Sequence, residues 1–249
     1  MTSSFMKDNM ILLRGIIALI FTAVATVVAI SAVVSLPSNM AGISYLYIAA
    51  AIYVPLAYWM RGWGVVVGYV SCVILGILTT PLGIVGSLVW GLADASEALM
   101  PILAIYIFLI EPDFEPSPRG RIGFLLVAII TFLLVILSIV IPTFGNILLF
   151  ASFTTGIAGI ALVALFEKGK KRTNWIGFLI FGVLLASFAS AIPGAFTFYL
   201  FNISSFDGAI SAFYAWFVGD VIVLSSIGTI LMLLSPYVKK TPIWSKSLF

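Results

Sequence analysis

Histidine is absent from the 249 residues, cysteine occurs once, and charged side chains make up only 8% of the chain. Without histidine there is no imidazole for acid–base catalysis and none to ligate zinc. One thiol, Cys72, supplies neither a disulfide framework nor a thiolate metal cluster within a chain, and its apolar setting marks it as a packing residue. No enzyme activity, cofactor or metal is therefore expected. The shortage of charge is as restrictive. Soluble domains carry roughly 25% charged residues, and a chain that is 63% hydrophobic cannot present most of its surface to water. Polar stretches long enough for an extramembrane domain are also lacking, so residues 1–249 read as one integral membrane domain. The net charge of +3 comes from short clusters of lysine and arginine beside apolar runs, which gives no face for nucleic acid.

What the sequence has instead is a succession of apolar runs, each near the ~20 residues a helix needs to cross a bilayer. About eight are legible: Leu13–Leu36, Ser44–Met60, Gly64–Thr80, Ile84–Ile110, Ile122–Ile141, Ile147–Phe166, Trp175–Phe201 and Ala209–Tyr237. They lack the two-residue alternation of barrel strands, so the expected fold is an all-α, polytopic helix bundle lying in the cell membrane. The first run is longer than a signal-peptide core and reads as a retained span.

The connections alternate in charge. Lys7 and Arg14, then Arg61, then Arg119 and Arg121, then Lys168, Lys170, Lys171 and Arg172, and finally Lys239, Lys240 and Lys246 form one set. Pro37–Ile43, Pro81–Gly83, Pro142–Asn146 and Asn202–Gly208 carry no lysine or arginine. The positive-inside rule puts the basic set in the cytoplasm together with both termini. Trp63, Trp175 and Trp244 adjoin the basic set, where interfacial indoles belong, and Lys239-Lys240 would anchor the last helix on an anionic leaflet. Glu111-Pro112-Asp113-Phe114-Glu115-Pro116 reads as a stiff solvated loop.

Charge inside an apolar run marks the candidate site, because an intramembrane carboxylate is costly to keep. Asp94 and Glu97 are three residues apart and share a helix face with Trp90 one turn before and Pro101 one turn after. Trp216 precedes Asp220 by four residues in the same way. With Tyr53 and Tyr214 these residues would line a ligand site between helices, suited to a cationic or ring-containing small molecule. Arg61 is the nearest cation, though its setting is that of a turn. Pro55, Pro101 and Pro193 interrupt helices and free carbonyls that need partners, with Ser187, Ser190 and Gly194 around the last. Ala25 and Ala29 give the first run a small-residue face, open either to internal packing or to docking of a partner. The echo of Trp90-Gly91-Leu92-Ala93-Asp94 in Trp216-Phe217-Val218-Gly219-Asp220 suggests parallel half-repeats, 11–110 and 121–238, of four spans each.

Two stretches carry a resemblance. Val54-Pro55-Leu56-Ala57, Arg61-Gly62-Trp63-Gly64 and Leu92-Ala93-Asp94-Ala95-Ser96-Glu97 resemble the first half of the membrane-associated sensor domains of bacterial histidine kinases and diguanylate cyclases. Trp216-Phe217-Val218-Gly219-Asp220 with Leu234-Ser235-Pro236 resembles their closing helix. The glycine–aspartate pair and the alanine spacing are also similar to S components of energy-coupling factor transporters. The resemblance implies a small-molecule-binding module, either sensing or substrate-capturing, that works with a separate signalling or energy-coupling protein. A self-sufficient proton- or cation-coupled transporter uses the same buried acids. An intramembrane aspartyl protease pairing Asp94 with Asp220 is a remote third reading, since Phe217 stands where that motif has glycine.

Overall fold

The computed structural model describes residues 2–35, 46–241 and 243–244. The Pro37–Ile43 connection and Lys246 lie outside the described residues, as does the start of the expected second span. Eight helices follow in order: α1 Thr2–Ser35, α2 Ala50–Met60, α3 Gly62–Thr79, α4 Gly83–Tyr106, α5 Pro118–Val140, α6 Gly145–Phe166, α7 Lys170–Leu200 and α8 Phe206–Met232. A final turn, α9, covers Ser235–Val238. Among the described residues seven of these are long and apolar enough to cross a membrane, the architecture of a multi-pass membrane protein. The exception, α2, has 11 residues.

Local chemistry accounts for the boundaries. Ser117 caps α5 by accepting the Gly120 N–H, with Pro118 in the first turn, and Ser205 caps α8 by accepting the Gly208 N–H. Gly169 precedes α7 at φ +55°, a conformation that suits glycine. Between α2 and α3 the chain turns on Arg61 itself at φ +58°, and Gly64 then sits so close that a Cβ there would strike the backbone of Ala57.

The burial pattern is that of a lipid-solvated bundle. Leu19, Ile84, Phe150 and Phe166 are exposed, whereas Asp94, Glu97 and Asp220 are inside. At the centre lies α2, buried at every residue but Ile52, against α3, α4 and α8. α4 packs on α7, α7 on α8, and the α5–α6 hairpin closes the far side against α8. α1 lies along α3 on the near side and buries Ala18, Ala25 and Ala29 there. Of the two uses open to the small-residue face at Ala25 and Ala29, internal packing is the one seen: the chain's own helices cover both residues, because alanines let α1 approach closely.

Two interfacial expectations are corrected. Glu111–Pro116 is solvated only along its acids: Phe114 is completely buried, with ring centroids 5.1 Å from Tyr58, 5.6 Å from Trp175 and 5.9 Å from Phe178. Trp175 is no interfacial anchor, since it is fully inside and stacks on Phe124 at 3.8 Å. At the surface Lys239 pairs with Asp113 (2.8 Å), and this hydrogen bond and its attraction hold the ammonium above its ordinary pKa. Asn174 donates to the Asp113 carbonyl (2.7 Å), Lys170 pairs with Glu111 (2.6 Å), and Glu167 accepts the Ser117 N–H (2.9 Å) and hydroxyl (2.7 Å). The loop is a clasp that binds α2, α7 and the chain end together.

Candidate functional site

Two helices bring the acids together. On α4 the three-residue spacing of Asp94 and Glu97 turns both carboxyls inward, and on α8 Asp220 follows Trp216 by one turn on the same face. All three acids have no exposed surface. Each has one oxygen bonded to a hydroxyl: Tyr47 donates to Asp94 Oδ2 (2.8 Å), Tyr53 to Glu97 Oε2 (2.5 Å), and Ser190 of α7 to Asp220 Oδ2 (2.9 Å). Asp94 Oδ1, Glu97 Oε1, Asp220 Oδ1 and the Trp216 indole N–H have no hydrogen-bond partner among the described residues.

Indoles wall the cluster. Trp90 and Trp216 meet edge-to-face with centroids 5.7 Å apart, and Tyr47 lies 6.3 Å from Trp216. Trp90 is fixed by donating to the Gly194 carbonyl (3.1 Å), and the Cys72 thiol lies 3.7 Å from the Trp90 carbonyl. Glycine is required where these parts converge: a Cβ on Gly194 would come within 2.6 Å of the Trp216 ring, and one on Gly68 within 3.0 Å of the Asp94 carbonyl.

The helices around the cluster are irregular. Pro193 lacks the N–H that would bond the Ala189 carbonyl, and the Ser96 hydroxyl of α4 lies 2.8 Å from that carbonyl and 2.8 Å from the Ala93 carbonyl of its own helix, sharing one proton between them. Pro101 interrupts α4 four residues beyond Glu97. α7 and α8 each contain a π-helical stretch, Phe178–Leu184 and Leu224–Gly228, the second starting four residues after Asp220. Wide turns of this kind are frequent at functional sites.

Of the residues singled out in the sequence, Asp94, Glu97, Asp220, Trp90, Trp216 and Tyr53 converge. Tyr214 does not: it is 62% exposed on the outer side of α8. Two residues before Trp216, it projects roughly 200° around the helix from it. Tyr47 and Ser190 join the cluster without having been marked as ligand residues. Arg61 stays apart, its guanidinium donating to the Tyr58 carbonyl. None of the three acids forms an ion pair among the described residues. Nor do those residues gather three His, Cys, Asp or Glu side chains closely enough for a metal ion. The arrangement can hold protons, or neutralise an organic cation that brings its own hydrogen-bond donors.

Comparison of the chain with protein-family models, curated proteins and solved structures gave no match.

Proposed function

We propose that the chain is a multi-pass protein of the cell membrane that binds a small organic cation, aromatic or amine-bearing, at Asp94, Glu97 and Asp220. The observation that carries this reading is the burial of three carboxyls, each half-satisfied by a hydroxyl and none paired with lysine or arginine. Charge held in a low-dielectric interior needs a counter-charge or a proton. Trp90, Trp216 and Tyr53 would lend the cation their ring faces and edges. Such a module is sensor-like or substrate-capturing, as the resemblance to membrane-associated sensor domains and S components implies, and it would pass the bound state to a separate signalling or energy-coupling protein.

In this reading the membrane holds eight spans, with α2 and the residues before it as the second, and both termini are cytoplasmic. Arg14 donates to the Trp244 carbonyl (3.0 Å), Lys170 meets Glu111, and Lys239 meets Asp113, so basic residues from three parts of the chain gather at one end. That gathering supports the positive-inside orientation. The meeting of Trp90 with Trp216 supports a two-half arrangement, because the echoed segments sit side by side.

A second reading, a self-sufficient proton- or cation-coupled carrier, is favoured by Ser190, whose hydroxyl holds Asp220 while lying beside Glu97. Calorimetric titration of the purified protein with a panel of aromatic amines and quaternary ammonium compounds tests binding. Saturable binding that Asp220→Asn weakens is expected, and binding unaffected by Asp94→Asn, Glu97→Gln and Asp220→Asn overturns the site. Uptake into vesicles containing this chain alone would select the carrier.

A further inference from the structure

Away from the acids, a groove of about 970 Å³ lies between the start of α5 and the end of α6. Its lining includes Arg119, Lys168, Lys170 and Lys171. Lys170 is engaged with Glu111, and the groove's own acid, Glu167, is bound to Ser117. Arg119, Lys168 and Lys171 form no hydrogen bond or ion pair from their side chains among the described residues. Three cations therefore face one cleft without protein acceptors, beside the N-terminus of α5, which Ser117 and the Glu167 carboxylate already cap. The cleft has an apolar wall as well. Gly123, Val163 and Phe166 line it, and Phe166 is 79% exposed. The wall continues along the exposed Leu162 and Ile122 on the faces of α6 and α5.

We propose that this groove binds an anionic phospholipid, the phosphate between Arg119, Lys168 and Lys171 and the acyl chains along α5 and α6. Charge selects the headgroup, and the apolar wall selects a lipid over a free anion, which would leave Val163 and Phe166 unmatched. Basic pockets between helix ends at a membrane surface have the chemistry to hold such headgroups. Gly123 lets Val163 pack closely against α5 in this wall, since a Cβ there would press on it at 3.0 Å.

The test uses the full chain in nanodiscs of phosphatidylcholine with phosphatidylglycerol as the minor component, followed by extraction and native mass spectrometry. Phosphatidylglycerol should stay bound in preference to phosphatidylcholine. Its retention should fall about tenfold or more in Arg119→Gln/Lys168→Gln/Lys171→Gln. Arg121→Gln/Lys240→Gln, which removes cations from a different cleft, should leave retention unchanged. Excess inorganic phosphate should not displace the lipid. The unmodified protein supplies a readout independent of any variant: equal retention of both lipids overturns the proposal. So does undiminished retention in the triple variant, or displacement by phosphate, which would mark a free-anion site.

Discussion

Tyr47, Tyr53 and Ser190 set the character of the cluster as much as the acids do. Each occupies one oxygen of one carboxyl and leaves the other oriented inward without a partner. A carboxyl can hold a proton or a cation, and raising the pH removes the competitor, so cation affinity should rise with pH. Asp220→Asn should lower affinity roughly ten- to a hundredfold, the worth of a charge-assisted hydrogen bond, and flatten the pH dependence. Calorimetry across pH reads both. Tyr47→Phe keeps the ring against Trp216 but leaves buried Asp94 Oδ2 without its donor, so it should cost about 1–3 kcal/mol of stability, read as a lowered Tm in detergent. The acids were legible in the sequence because ionisable groups interrupt apolar runs, and the four-residue spacing of Trp216 and Asp220 showed their common face. Tyr47 was not, because it lies in the turn before α2, where no periodicity shows which way a side chain projects. Ser190 gave no ligand signal either, since a serine in a membrane helix ordinarily bonds its own backbone, as Ser187 does to the Val183 carbonyl. Tyr214 was misplaced by residue type when its angular position already set it apart.

At the scale of the element, Ser96 and Pro193 are complementary: one helix breaks its hydrogen-bond ladder and its neighbour repairs it. Ser96→Ala should cost about 1–3 kcal/mol through the unsatisfied Ala189 carbonyl, measured as a lowered Tm in detergent. That prolines would interrupt these helices was plain in the sequence, but the identity of the donor required knowing that α4 packs on α7. The clasp was hidden for a different reason. Phe114 is flanked by acids and prolines, and only the tertiary meeting of Tyr58, Trp175 and Phe178 gives it a dry socket. Phe114→Ala should destabilise the fold by about 3–5 kcal/mol and make the 111–117 segment sensitive to protease. The Lys239–Asp113 contact adds a pH signature of defined sign. With the ammonium raised above its ordinary value, this stabilisation is complete below the pKa of unfolded lysine and is lost as pH climbs through the folded value. The clasp should therefore hold at neutral pH and loosen only in strong alkali.

For the whole molecule, seven of the eight expected apolar runs recur as helices long enough to span, within a few residues of the limits read from the sequence. Length and apolarity are properties of the chain itself, which is why they were legible. The second run ends in the short, buried α2, whose central position follows from packing on α3, α4 and α8. Orientation rests on where the basic segments gather. With Cys72 replaced, single cysteines near Phe206 and Lys240 should react with an impermeant thiol reagent on intact cells at the first position and not the second; the reverse would invert the topology.

That Asp94, Glu97 and Asp220 exchange protons for a bound cation is tested most directly by infrared difference spectroscopy of the protein in lipid with and without an aromatic quaternary ammonium compound. Addition of this permanent cation should diminish a protonated-carboxyl C=O band and release protons to a weakly buffered medium, and Asp94→Asn, Glu97→Gln or Asp220→Asn should reduce both signals. Binding that leaves the carboxyl bands and the proton balance of all four proteins unchanged would contradict it.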